Sequence, residues 1–97
     1  MTFVQIIEFT TSDIDSMRAA SESWERATVG KRTARRRVIA RDHNDPDRYF
    51  VLAFFDSYES AMVNSNLPET QAVADEFAKL TKGPPTFYDL DIIDDRS

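Results

Sequence analysis

The chain has one imidazole, His43, in the run Asp42-His43-Asn44-Asp45-Pro46-Asp47. An imidazole titrates near neutrality and can serve as a general base, but only with a reacting group in reach. No nucleophile flanks His43, so it reads as an exposed turn residue. Asp42, Asn44, Asp45 and Asp47 offer oxygen ligands to a hard cation. They lack the central glycine and closing glutamate of a calcium loop, so no metal is expected and a solvated turn accounts for them. There is no Ser/His/Asp set and no Glu-x-x-His motif. With two glycines in the chain, a dinucleotide fingerprint is excluded. No residue is assigned a catalytic role, and no cofactor is expected.

Binding chemistry is better represented than catalysis. Trp24, Asn64, Asn66 and Tyr88 are the residues expected to face a small pocket, with Tyr58 near them. Trp24 falls at helical spacing, which also fits simple core packing. Asn64 and Asn66 flank a helix break at Asn64-Ser65-Asn66-Leu67-Pro68, where an amide either caps the next helix or orients a phenol or carbonyl.

Charge is segregated along the chain. Lys31, Arg32, Arg35, Arg36, Arg37, Arg41 and Arg48 place seven of the twelve basic residues within eighteen positions. No aromatic residue interrupts Lys31 to His43, so the stacking platform of a nucleic-acid site is missing. The last strand answers with Asp89, Asp91, Asp94 and Asp95. If these two strands are the sheet edges, Arg35, Arg36 and Arg37 of one subunit could meet Asp89 and Asp91 of another and set the orientation of a dimer. Solvated edge charges that deter aggregation explain the pattern equally well.

The elements that must position these residues follow from periodicity. Thr2 to Phe9 is rich in β-branched and aromatic residues and reads as a strand. Ser12 opens a helix in which Ile14, Met17, Ser21, Trp24 and Thr28 share one side, and Gly30 closes it. Thr33 to Asp42 and Tyr49 to Phe55 are strands joined by the Asp/Asn/Pro turn, hence an antiparallel hairpin. Asp56 with Glu59 resembles a capping box for a helix over 57–64. A second helix over 68–81 starts at Pro68 and turns Thr70, Val73, Ala74, Phe77 and Leu80 inward. Thr86 to Asp94 is the last strand. The order β-α-β-β-α-β predicts an α+β, ferredoxin-like domain with a four-stranded antiparallel sheet and the helices on one face.

Residues 1–97 make one domain by length. A composition 41% hydrophobic and 30% charged is that of a folded globular protein. The net charge of −5 argues against nucleic acid as the main partner. No apolar run is long enough to span a membrane. The chain runs directly into a strand without a signal peptide and has no cysteine, so a cytoplasmic location is expected. Tyr49 to Phe55 carries no polar group beyond one phenol, so both faces of that strand need cover. A homodimer packed sheet on sheet supplies it.

The segment FFDSYESAMVNSNLPETQAVADEFAKL, followed by GPPTFYDLDI, resembles the dimeric α/β-barrel superfamily, and within it the antibiotic-biosynthesis-monooxygenase-like group. The resemblance implies a homodimer whose two sheets form a barrel, with a small pocket per subunit between sheet and helices. It also implies a small aromatic or polyketide-like compound as ligand, and cofactor-independent oxygenation or isomerisation as the favoured chemistry. The alternative is a non-catalytic binding or scaffold dimer. Cofactor-free oxygenases of this group use an asparagine, a tryptophan and a tyrosine where this chain has Val51, Phe55 and Ala61 or Met62. Haem-degrading relatives need a helical histidine, and the matching helix here has none.

Overall fold

A computed structural model describes all residues, 1–97. The elements run β1 (Phe3–Thr10), α1 (Ile14–Ala27), β2 (Arg36–Arg41), β3 (Arg48–Phe55), α2 (Tyr58–Ser65), α3 (Pro68–Leu80) and β4 (Thr86–Asp91). The sheet order is β2-β3-β1-β4, antiparallel throughout, so β2 and β4 are the edges as expected.

Register decides what each sheet face presents, because side chains alternate along a strand and paired residues share a face. Phe3, Ile7 and Phe9 of β1 pair with Phe55, Val51 and Tyr49 of β3. This face lies under the helices. Phe9, Tyr49 and Val51 pack with Met17 of α1, and Phe77 and Leu80 of α3 lean on the same cluster. At the other end Phe3, Phe55 and Ala61 form a second cluster, with Phe55 only 1% exposed. The Phe9 and Tyr49 rings stack at 5.8 Å, and Tyr58 meets Phe3 edge-on at 5.6 Å.

The opposite face carries Val4 and Ile6 of β1, Phe50, Leu52 and Phe54 of β3, and Val38, Tyr88 and Leu90 from the edges. No element of the protomer covers it. Only 13 of 97 residues are buried, none of them on α3 or β4, and Val4 is the one among them on this face.

Local chemistry departs from the expectation at three points. Helix α1 is capped by Asp13, whose carboxylate accepts from Ser16 N at 3.1 Å, and not by Ser12. Thr11 displaces that role by one residue: its hydroxyl accepts from Asp13 N and donates to the Leu80 carbonyl, which ties the turn to the end of α3. The α2 cap is Ser57, accepting from Ser60 N at 3.0 Å. Asp56 is drawn away to Arg35, which donates to it at 2.6 and 2.9 Å. The edge strands are also shorter than expected. β2 begins only at Arg36 because Thr33 is held by α2, where its hydroxyl donates to the Ser60 carbonyl at 2.6 Å, and the chain reaches β3 first through Arg35 N–H to the Phe54 carbonyl. Ala74 lies on the sheet-facing side of α3 as expected, lining a cleft there, although it stays exposed.

Candidate functional site

The covered face leaves a cleft between the sheet and α3. Ile7, Phe9 and Val51 form its floor, Phe77 and Ala78 of α3 one wall, and Phe87 of β4 another. Met17 closes the back, and its volume is about 90 Å³. Thr81 is the only side chain lining it that can form a hydrogen bond. No titratable group reaches in, so the cleft can exclude water and hold an apolar surface but has no acid or base of its own.

The four residues expected near a pocket are not brought together. Trp24 is buried, and its indole N–H donates to Thr70 Oγ1 at 2.9 Å, pinning α1 to α3. Asn64 is buried too; its side-chain oxygen accepts from Thr33 N at 3.2 Å and fixes the loop entering β2. Asn66 is exposed and ends α2 through its backbone. Tyr88 lies on the uncovered face, where its hydroxyl donates to Glu8 Oε1 at 2.8 Å. Neither asparagine caps α3, which starts at Pro68 without a side-chain cap. The largest concavity, about 540 Å³, is an open trough between α1 and α3 whose walls include Ala19, Ala20, Ala72 and the Trp24 edge.

The charged residues expected at an interface divide between the two faces. Arg37, Asp89 and Asp91 lie on the helix-side face, and Arg36 on the uncovered one. Arg35 pairs with Asp56 of the same chain, and Asp89 accepts from Gln5 at 3.2 Å. In the His43 turn, Asp42 and Asp45 accept from the backbone N–H groups of Asn44 and Asp47.

One polar constellation was not anticipated. Tyr88, Glu8, Arg48 and Asp42 form a continuous chain across the uncovered face, from β4 through β1 and β3 to the end of β2. Arg48 meets Glu8 at 2.7 Å and Asp42 at 3.0 Å, and its guanidinium stands 5.0 Å from the Phe50 ring centroid. The Tyr88 hydroxyl first and Arg48 second lower the Glu8 pKa, while Glu8 in turn raises that of Tyr88. The Asn44 N–H, followed by Arg48, lowers Asp42. In the sequence, Glu8 sits 34 positions from Asp42 and 80 from Tyr88, so only strand register could assemble them. A lone acid in an apolar strand was the available signal.

The comparisons with solved structures follow the same architecture. A protein from Nitrosomonas europaea titled "Putative antibiotic biosynthesis monooxygenase" matches at TM-score 0.80 and 13% identity, over 95% of this chain and 90% of that one. Rv0793 from Mycobacterium tuberculosis matches at TM-score 0.80 and 13% identity over the whole of both chains. A Chloroflexus aurantiacus protein with the same title as the first matches at 0.76 and 17%, over 100% and 98%. This chain has the same α+β, ferredoxin-like fold as these proteins. At these identities the likeness is one of fold, and chemistry has to be argued from the residues. No protein-family model matches the sequence, and no curated protein matches it. Within this fold, Val51 lines the cleft, whereas Phe55 and Ala61 are packed in the second core cluster.

Proposed function

We propose that the protein is a homodimer that takes a small, mainly apolar aromatic compound into the cleft between the sheet and α3. The observation behind this reading is the cleft's lining: aliphatic and aromatic side chains, one threonine and no ionisable group. Such a lining favours binding through burial of apolar surface, with the Thr81 hydroxyl, which donates to the Gly83 carbonyl at 3.1 Å, able to accept from a phenol. An apolar cavity of roughly 150 Å³ holds one benzene ring. A cleft of about 90 Å³ therefore admits a ring only if α3 yields slightly. No residue of α3 is fully buried, so a shift small enough to keep the Trp24–Thr70 and Thr11–Leu80 hydrogen bonds exposes little new surface.

Dimerisation belongs to the same proposal, with the uncovered sheet faces packed together so that Phe50, Leu52 and Phe54 become interior. A second reading, cofactor-independent oxygenation of the bound compound, draws on the fold likeness to proteins titled antibiotic biosynthesis monooxygenases. That chemistry needs the substrate ionised before it can give an electron to oxygen, and the cleft lacks a base for that step. Binding is therefore the primary reading.

The test uses phenol as probe, with binding followed by NMR shift perturbation and oxygen uptake measured in parallel. Saturable shifts at Ile7, Val51 and Ala78, lost in Ala78→Trp, are expected without oxygen uptake. Uptake proportional to enzyme would promote the oxygenase reading, and no shift at the cleft would end both.

A further inference from the structure

A second recess lies at the β2 edge and shares no lining residue with the apolar cleft. It holds about 170 Å³ and is bounded by Trp24 and Glu25 of α1 and by Arg32, Arg35, Arg36 and Arg37. Four arginines and one glutamate line it, in a protein whose net charge is −5.

Two of the four converge. The Arg32 guanidinium lies 5.9 Å and that of Arg37 5.2 Å from the Trp24 ring centroid. Arg32 is steered there by the Glu25 backbone carbonyl, which accepts from it at 2.6 Å. Arg37 has the Glu25 carboxylate as its ion-pair partner, but at 3.5 Å, and that carboxylate is more than half exposed. Arg35 and Arg36 form the rim, the first turned to Asp56 and the second to the Phe54 ring.

Arg37 is thus a half-buried cation with an incomplete counter-charge. Desolvation is the main cause lowering its pKa; Glu25 partly offsets this and neighbouring Arg32 adds to it. A guanidinium remains charged regardless. An acceptor stronger than the loose Glu25 carboxylate would pair with Arg37 more closely than the 3.5 Å contact does.

We propose that this recess binds the phosphate group of a small organic phosphate, bridged between Arg32 and Arg37. A phosphate brings up to two negative charges for two guanidinium groups and enough oxygens for paired N–H donors from each. A single carboxylate does not, as Glu25 illustrates at its long distance. The sheltered Trp24 wall excludes a polynucleotide as occupant, because the buried indole has no free face for a base to stack on.

Inorganic pyrophosphate is the probe, titrated against the full chain at fixed ionic strength. Heat of binding and Trp24 emission are followed together, since Trp24 is the only tryptophan. Saturable binding at one site per chain is expected. Arg37→Gln should weaken it by about 10-fold or more, the loss of a charge-assisted pair of hydrogen bonds. Glu25→Gln should tighten it by removing the competing carboxylate, a sign that a merely structural glutamate would not give. Arg32→Gln takes the place of Arg37→Gln if circular dichroism shows the latter unfolded. A response matched by sodium chloride at the same ionic strength, or affinity unchanged in a folded arginine variant, overturns the proposal.

Discussion

The two faces of the sheet are built from nearly the same residue types and meet opposite fates. Beneath the helices, Phe3, Phe9, Tyr49, Val51 and Phe55 are each at most 8% exposed. On the other face Phe50, Leu52, Phe54 and Ile6 are half-buried by their neighbours alone, and Tyr88 and Leu90 are exposed. One face is a core apart from the cleft at Phe87, and the other, with Val4 its only buried residue, is half of one. The uncovered face also carries the molecule's longest polar chain, Tyr88–Glu8–Arg48–Asp42, at one end of its apolar field. If that face is a dimer interface, burial of the field supplies most of the drive. A charged network at one end would then set how the sheets align, since like networks must avoid each other while apolar centres meet.

Breaking the covered face should have the largest effect. Phe55→Ala removes a fully packed ring between Phe3 and Ala61, and a loss of about 3–5 kcal/mol in urea unfolding is expected. A smaller loss would mean that the second cluster collapses around the gap. Next comes Leu52→Glu on the uncovered face. It places a carboxylate at the centre of the apolar field, and the dimer dissociation constant should rise by about 30-fold or more, with the helix content unchanged. Sedimentation at a series of concentrations reads this directly; a wild-type chain that stays monomeric at all of them would remove the interface altogether.

The smallest effect is the pH response. Glu8 and Glu69 are held below the ordinary 4.5 of a glutamate, and Asp42 and Asp56 below the 3.8 of an aspartate. The leading cause is Tyr88 for Glu8, Lys31 for Glu69, the Asn44 N–H for Asp42 and Arg35 for Asp56. A lowered folded-state value means that the contribution is complete above the ordinary pKa and is lost as pH falls through the folded one. Stability should therefore hold from neutrality to about pH 5 and decline below it. Tyr88 has the opposite sign, its contribution fading as pH rises through a value above 10.0. Glu8→Gln should flatten both branches, because it is the group that links them. An unchanged acid branch in that variant would show that the chain across the uncovered face does not contribute to it.

Much of the architecture was legible in the residues. The apolar run Tyr49 to Phe55, the Asp/Asn/Pro turn and the Met17, Ser21, Trp24, Thr28 spacing led to the observed strand, hairpin and buried helix face. Pro68 begins α3 as its fixed φ suggests. Capping was harder, since Ser12 and Asp13, or Asp56 and Ser57, are adjacent candidates and a tertiary partner decides between them. Arg35 takes Asp56, and Thr11 fixes Asp13. The site was least legible. Trp24, Asn64, Asn66 and Tyr88 have the right functional groups, but each is engaged elsewhere, by Thr70, Thr33, the end of α2 and Glu8.

By itself the sequence determined element types, strand order and the need to cover both faces of β3. These depend on local periodicity and on composition, which are written in neighbouring residues. The tertiary structure alone decided which groups share a space: an apolar cleft without an acid or base, two arginines against one indole, and a tyrosine on a glutamate 80 residues away. Those meetings depend on register and on the angle of α3 across the sheet, and no spacing along the chain encodes either.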